Sequence, residues 1–334
     1  MSTIQPSALR RQAGDMLQKT PYNPKRLVLI HTSVALGASL LVTIVNYILN
    51  QQIAGTGGLS GMGLRSVLST VQVVLELAIL VGTPFWEFGL LFAALRWARG
   101  EKADFQNLLQ GFRRFGAVLA LRLLRGGLFI LMGVAVIQLS STVFMLTPFS
   151  KPLLEVMEPV ITAAGNLQQS DAILTPELLV SIMEACIPLM LIAGALYALI
   201  AIPVFYRLRF ADFAVMDGAG AVSAMVQSVR ATRKKSLQLV KLDFSFWWFY
   251  LLQLLCVAIS YGNIILPALG ITFPFSEDTA LFLFYVLGSL CQLLLLWQYQ
   301  ASVLTSYGLA YGAFGMRPPT PREQSLPHTA TWNA

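Results

Sequence analysis

The residues of this chain best suited to chemistry are charged side chains inside long apolar segments. Glu76 and Glu87 lie in one such segment, and Arg122 and Arg125 lie near the start of the next. Intramembrane charges are costly and mark functional sites. The two glutamates are eleven residues apart, about three helical turns, so they share a helix face, as carboxylates of an ion path would. The alternative is a structural ion pair, and we predict that Glu87 faces Arg125 or Arg122.

Residues for catalysis and metal binding are sparse. The histidines His31 and His328 are far apart in the chain, and no Cys-x-x-Cys pair is present. The glycine-rich stretch 55–63 lacks the lysine of a phosphate-binding loop, and no strand precedes it. We therefore predict no enzyme activity, no metal and no cofactor. The three cysteines are expected to be small buried hydrophobic residues; they are Cys186, Cys256 and Cys291.

The composition indicates that lipid is the main solvent of the chain. Hydrophobic residues make up 56% of the 334, and charged residues only 12%, against about 25% in a typical soluble protein. A membrane-spanning helix needs about 20 apolar residues. Six segments meet that length: Leu27–Leu49, Val67–Trp97, Ala117–Leu146, Pro176–Tyr206, Leu242–Leu269 and Thr279–Gly312.

The basic residues predict the orientation of these segments. Of the 23 Lys and Arg residues, all but Arg65 and Lys151 fall on one side of the alternating spans. Cytoplasmic loops carry the excess of Lys and Arg in membrane proteins. The predicted fold is an all-α bundle of six transmembrane helices in the cell membrane with both termini cytoplasmic. Residues 1–26 form a cytoplasmic N-terminal segment, 27–314 the bundle, and 315–334 a disordered cytoplasmic tail.

The first basic loop carries an amphipathic pattern. Asp104 can cap a helix that Gly111 ends, and the bases Arg113 and Arg114 follow. Four apolar residues have the i, i+3, i+4, i+7 spacing of one helix face; they are Phe105, Leu108, Leu109 and Phe112. The pattern is typical of a helix that lies in the headgroup plane with its apolar face towards the acyl chains. The alternative is packing against the ends of the protein's own helices.

The second basic loop has a similar pattern. Gly218 and Gly220 interrupt the chain before an apolar stripe of Val222, Met225, Val226 and Val229. Basic residues close the stripe, as the negative end of a helix dipole favours. We predict that both loops contact anionic headgroups on the cytoplasmic side through Arg113, Arg114, Arg233, Lys234 and Lys235.

Three further segments outside the basic loops carry patterns that predict their location. Gln51–Arg65 is predicted to be a flexible outer linker because it is rich in glycine. Ser150–Ala164 is amphipathic and is predicted to lie along the outer surface. Trp247–Tyr250 is aromatic throughout and is typical of the belt at a membrane interface.

The region around the first basic loop resembles a known family. An apolar helix runs into Ala98-Arg99-Gly100-Glu101 and then into Gly111-Phe112, and a later span begins with Leu242–Phe246 followed by Trp247. Across roughly residues 85–255 the chain resembles the bacterial integral membrane family catalogued as domain of unknown function 975. The resemblance implies a multi-pass bacterial membrane protein, and it implies no activity, cofactor or catalytic residue.

Two functions are compatible with these patterns. The first is a non-enzymatic membrane protein, a scaffold or envelope component whose basic face contacts anionic lipid, with no nucleic-acid partner. The alternative is a permease or channel-like transporter, for which Glu76, Glu87, Pro84 and Pro188 supply the buried charge and broken helices of a transport site.

Overall fold

The computed structural model describes residues 5–20, 23–55, 59–164, 176–271, 274 and 276–316. Within these ranges the chain forms fourteen α-helices and no strand. The helices are α1 (Pro6–Lys19), α2 (Pro24–Gly55), α3 (Leu59–Ala98), α4 (Phe105–Leu108), α5 (Gln110–Arg113), α6 (Phe115–Met145), α7 (Ser150–Ala164), α8 (Pro176–Leu208), α9 (Ala211–Met216), α10 (Ala221–Thr232), α11 (Ser236–Phe244), α12 (Trp247–Ser260), α13 (Gly262–Ala268) and α14 (Glu277–Ala313).

Five of these helices contain a stretch that is long and apolar enough to cross a membrane. The stretches are Pro24–Tyr47, Ser69–Ala98, Phe115–Met145, Val180–Met216 and Thr279–Ala313. A sixth crossing exists if the bent pair α11 and α12 forms one span. The chain is therefore a multi-pass, all-helical membrane protein, and five of the predicted spans correspond to single helices or to a helix with its short continuation.

The predicted fifth span, Leu242–Leu269, is not one continuous helix. The chain bends by 63° between α11 and α12 and breaks again at Tyr261, before α13. Polar side chains hold the first bend. The hydroxyl of Ser245 donates to the carbonyl of Leu242, and the hydroxyl of Tyr250 donates to a carboxylate oxygen of Asp243 across the bend, at 3.0 Å.

Two other segments contain more helix than the sequence predicted. The expected flexible linker Gln51–Arg65 is mostly helical, because α2 continues to Gly55 and α3 begins at Leu59; residues 56–58 lie outside the described part. Extending an existing helix costs less than starting one, so glycine-rich ends can remain helical. The polar N-terminal segment contains α1, whose first residue is Pro6, a favourable position for proline.

The helices form two compact units. Unit 1 runs up to Leu121 and resumes at Arg209, and unit 2 is Arg122–Leu208. The core of unit 1 joins the start of α2, the end of α3, α4 and α14; it contains Leu27, Val28, Leu90, Ala93, Ala94, Trp97, Ala103, Leu108 and Ala301. The first half of α3 instead exposes large apolar side chains such as Val73 and Leu80. Such a surface suits contact with acyl chains and not with water.

Unit 2 consists of most of α6 together with α7 and α8. Gly133 of α6 faces the ring of Tyr197 in α8, which lies 3.8 Å from the position that a Cβ would occupy. Helix α7 has the predicted bounds Ser150–Ala164 and packs against α8. Arg125 donates a hydrogen bond from Nη2 to the carbonyl of Leu208, at 3.0 Å. This bond satisfies a carbonyl at the C-terminus of α8, where a cation also suits the helix dipole.

Candidate functional site

An ion pair with a nearly buried carboxylate joins the two basic loops. The guanidinium of Arg99, just after α3, approaches both carboxylate oxygens of Asp217, just after α9, at 2.6 and 2.7 Å. The side chain of Asp217 is only 7% exposed, against 31% for Arg99. The hydroxyl of Tyr311 in α14 donates to the same carboxylate at 3.2 Å. Three segments that are distant in sequence therefore share one carboxylate.

A second arginine fixes the turn that carries Asp217. Arg114 donates from Nη1 to the carbonyl of Val215 at 2.7 Å. Gly218 follows with a φ of 115°, a conformation that favours glycine. A Cβ at Gly218 would lie 3.6 Å from the guanidinium of Arg114. The requirement for glycine in this turn therefore comes from its positive φ, since a Cβ would meet Arg114 only at ordinary contact distance.

Aromatic rings surround the ion pair. The ring of Phe210 packs edge-on against Tyr311 and Phe314, with centroid distances of 5.8 and 5.1 Å. Two cations lie over rings of the same region, where the cation is attracted by the ring face. The guanidinium of Arg209 is 4.4 Å from the centroid of Tyr307, and Nζ of Lys235 is 4.9 Å from that of Phe314.

The N-terminal helix reaches the same region. Helix α1 packs against α14, α3 and α11, and Arg10 donates to the carbonyl of Ser245 at 3.2 Å. We name this region of unit 1 the basic end; it comprises α1, residues 96–114, residues 209–235 and residues 307–316. The three segments that the sequence assigns to one membrane side before the tail therefore meet at one end of unit 1, together with the end of α14.

The first basic loop packs on α3 through two glycines. A Cβ on Gly89 of α3 would lie 1.9 Å from the carbonyl oxygen of Leu108, and a Cβ on Gly111 would lie 1.9 Å from that of Phe85. Such distances are far below van der Waals contact, so both positions require glycine. The backbones of α4 and α5 can lie directly on α3 because glycine has no side chain at either position.

This packing corrects the predicted apolar stripe of the first loop. Leu108 is fully buried in the core of unit 1, while Phe105, Leu109 and Phe112 are 49%, 39% and 43% exposed. The expected single helix is divided into α4 and α5 at Leu109, so the four side chains do not keep one face. The prediction that Gly111 ends the helix is wrong, because this residue lies inside α5.

The predicted cap of the first loop is also different. Asp104 occupies the N-cap position of α4, but its side chain makes no capping bond to the backbone. A carboxylate oxygen of Asp104 instead accepts a hydrogen bond from the side-chain amide of Asn107. The oxygen of the same amide accepts from Arg96 at 2.9 Å. The carboxylate therefore organises a small polar cluster at the start of the loop.

The second basic loop has a buried face of small residues. Its buried positions on α10 are Ala221, Ala224, Ser228 and Thr232. The hydroxyl of Ser228 accepts from the backbone amide of Phe210 at 3.1 Å. Of the predicted apolar stripe, Val222 and Val226 are exposed, whereas Met225 and Val229 are partly buried.

The five bases predicted to contact headgroups fall into two groups. Arg113, Arg233 and Lys234 are exposed. Arg114 and Lys235 are partly buried and bind protein, through the carbonyl of Val215 and the ring of Phe314 respectively. The exposed three remain available to a ligand.

The charges within the predicted spans lie in different settings. Glu76 is exposed, and its Oε1 accepts a hydrogen bond from the side-chain amide of Gln72, one turn earlier, at 2.9 Å. Glu87 is exposed as well, whereas Arg122 and Arg125 are partly buried. The pairing of Glu87 with Arg125 or Arg122 stays a prediction.

The aromatic belt predicted at Trp247–Tyr250 forms the first turn of α12 and is only partly exposed. Trp247 is exposed, whereas Phe249 is buried in the protein. The ring of Trp248 packs edge-on against Tyr299 of α14, with centroids 4.4 Å apart. Only part of the segment therefore remains free for an interfacial role.

Sequence reasoning did not identify Asp217 and Tyr311 as partners of Arg99. A signal existed for the aspartate, since it is one of few acids within a strongly basic loop and precedes a glycine. No pattern in the sequence indicated Tyr311, whose contact depends on how α14 packs. In the described ranges, no cluster of three or more His, Cys, Asp or Glu side chains could hold a metal ion.

Comparison of the chain with protein-family models, with curated proteins and with solved structures found no match.

Proposed function

We propose that this chain is a non-enzymatic membrane protein of the cell membrane, a scaffold or envelope component that binds anionic lipid through its basic end. Both termini are cytoplasmic in this proposal, and the basic end faces the cytoplasm. The relation to the bacterial family of unknown function 975 is part of the same proposal. The observation that carries it is the convergence of three basic segments at one end of unit 1.

The side chains left exposed at the basic end support lipid as the ligand. Arg113, Arg233 and Lys234 are free to meet phosphate, and each base near an anionic surface contributes about 1 kcal/mol. Phe105, Leu109 and Phe112 are exposed beside Arg113. Bases together with apolar side chains suit the boundary between headgroups and acyl chains, and a purely polar ligand would leave these rings in water.

The test is retention of anionic lipid by the purified full-length protein. The triple variant Arg113→Gln, Arg233→Gln, Lys234→Gln removes three exposed bases and spares the internal contacts of Arg99 and Arg114. With about 1 kcal/mol for each base, we expect phosphatidylglycerol binding in nanodiscs to weaken at least tenfold, which corresponds to about 1.4 kcal/mol. Arg65→Gln with Lys151→Gln is the matched control, since both bases are predicted on the other side. Equal retention by the triple variant and the control would contradict the proposal.

A transporter is the second candidate, and the broken fifth span favours it. Transport sites are commonly built from discontinuous helices, and the chain bends by 63° between α11 and α12. Prolines also lie inside α3 and α8, at Pro84, Pro188 and Pro203. Proteoliposomes that conduct ions, with conductance reduced by Glu76→Gln or Glu87→Gln, would replace the scaffold proposal by this one.

A further inference from the structure

A cavity lies at the end of unit 1 opposite the basic end. Its volume is about 470 Å³, within the range of about 300–1,000 Å³ that is usual for small-molecule sites. Its walls come from α2, from α14 and from the junction of α12 and α13. Tyr285 of the lining and Tyr311 of the basic end are 26 residues apart on α14, roughly 39 Å at a rise of about 1.5 Å per residue. That distance exceeds a hydrocarbon core of about 30 Å, so the cavity and the basic end belong to different membrane interfaces.

The lining is largely apolar, but it includes polar side chains, none of which is charged among the residues that the structure describes. It presents two side-chain amides, three tyrosines, one serine and one threonine. The amides of Asn46 and Asn263 form no hydrogen bond with any other described residue. The hydroxyls of Thr43 and Ser260 donate to carbonyls of their own helices, so each remains an acceptor towards the cavity. The polar groups of the lining that can bind a ligand are therefore neutral hydrogen-bond donors and acceptors.

One side of the cavity opens towards lipid. Val257, Ile264 and Leu281 belong to the lining and are also exposed on the surface of unit 1. Tyrosine is typical of the headgroup level of a bilayer, and the ring of Tyr47 packs on Phe282 at 5.3 Å beside the site. A molecule in the cavity can therefore place a polar head among the amides and an acyl chain along the apolar edge.

The absence of charged side chains from the described lining restricts which headgroup the cavity can bind. A phosphate in this cavity would be an anion without a cationic side chain in the described lining, and burying an unpaired charge is costly. Neutral hydroxyl groups are a better match, because amides and tyrosines can both donate to them and accept from them. We propose that this cavity binds an amphiphile with an uncharged, hydroxyl-rich headgroup, such as a glycosyl diacylglycerol.

The test uses the full-length protein in phosphatidylcholine nanodiscs that contain a minor fraction of diglucosyl diacylglycerol, with retained lipid measured by native mass spectrometry. Asn46→Leu and Asn263→Leu each remove one amide, and each is expected to weaken retention about fivefold, the effect of about 1 kcal/mol for one net hydrogen bond. Gln253→Leu is the matched control, because this amide lies on α12 outside the lining. Leu281→Trp fills the cavity from its exposed edge and is expected to abolish retention without disturbing the core.

The competing outcomes are distinct. Displacement of the glycolipid by free disaccharide would identify the headgroup alone as the ligand, while retention in its presence would identify the whole lipid; both support the proposal. Retention of the glycolipid that equals that of phosphatidylcholine, or that is unchanged in Asn46→Leu, Asn263→Leu and Leu281→Trp, would overturn it. The result is independent of anionic lipid binding at the basic end, since none of these substitutions removes a base.

Discussion

Asp217 is the residue that connects most of the basic end. Its carboxylate accepts from Arg99 and Tyr311, and the turn that holds it is fixed by Arg114 and Gly218. A nearly buried carboxylate needs such partners because burial removes its hydration. The ion pair between Arg96 and Glu101 is different, since both side chains are substantially exposed.

We expect Asp217→Asn to lower the thermal stability of the protein in detergent. The substitution removes a charge-assisted interaction worth roughly 1–3 kcal/mol, reduced by the partial exposure of Arg99. Adding Arg99→Gln should recover part of the loss, because the unpaired guanidinium is then absent.

The control for this prediction is Glu101→Gln, which breaks an exposed pair and should change stability by at most about 1 kcal/mol. Thermal unfolding of the wild-type protein, Asp217→Asn, Arg99→Gln, the double variant and Glu101→Gln measures both effects. Equal losses for Asp217→Asn and Glu101→Gln, or strictly additive losses in the double variant, would show that the carboxylate does not hold the basic end together.

At the scale of helices, the close contact of α4 and α5 with α3 decides which face of the first loop is free. Gly89 and Gly111 allow backbones to touch at the ends of this contact. The contact buries Leu108 and leaves Phe105, Leu109 and Phe112 exposed. The exposed face of the loop is therefore a consequence of two glycines.

We expect Gly111→Ala to destabilise the protein, since its Cβ would overlap the carbonyl oxygen of Phe85. Overpacking of this kind typically costs about 1–3 kcal/mol. Gly116→Ala is the matched control, because no atom lies within 4 Å of its Cβ position and alanine favours a helix by about 1 kcal/mol. Thermal unfolding should separate the two variants in opposite directions; a Gly111→Ala protein as stable as Gly116→Ala would contradict the close contact.

The sequence predicted the elements whose signal is local. Runs of apolar residues defined the spans, and the amphipathic pattern of Ser150–Ala164 matched α7. Prediction from the sequence failed where tertiary packing decides the structure of a segment. Helix α1 is polar overall and depends on burying Leu9 and Ala13 against the rest of the chain. The bend at Ser245 depends on the bond between Tyr250 and Asp243, and the burial of Leu108 depends on backbone contacts that no periodicity reveals.

The candidate site was predictable in its composition but not in its geometry. The charge pattern identified the basic loops, and three of the five bases assigned to headgroups are exposed. The remaining two, Arg114 and Lys235, bind protein partners from elsewhere in the chain. Pairwise contacts between distant segments, such as that of Tyr311 with Asp217, are set by helix packing and leave no signal in a single sequence.

At the scale of the whole molecule, unit 1 presents two chemically different ends. One end gathers arginine, lysine and exposed aromatic side chains, and the other surrounds a cavity whose polar groups are uncharged. The apolar surface of the helices, for example along the first half of α3, lies between them. This arrangement suits a protein that meets anionic lipid on one side of a membrane and an uncharged ligand on the other.

The measurement that tests this account most directly is the sidedness of single cysteines in a variant without Cys186, Cys256 and Cys291. Membrane-impermeant thiol labelling of intact cells should reach cysteines at Gly57, Gln168 and Glu277. It should reach those at Glu101, Arg233 and Gln324 only after the membrane is opened. Labelling of Glu101 and Arg233 from opposite sides would contradict the account, because the loops joined by Arg99 and Asp217 must share one side of the membrane.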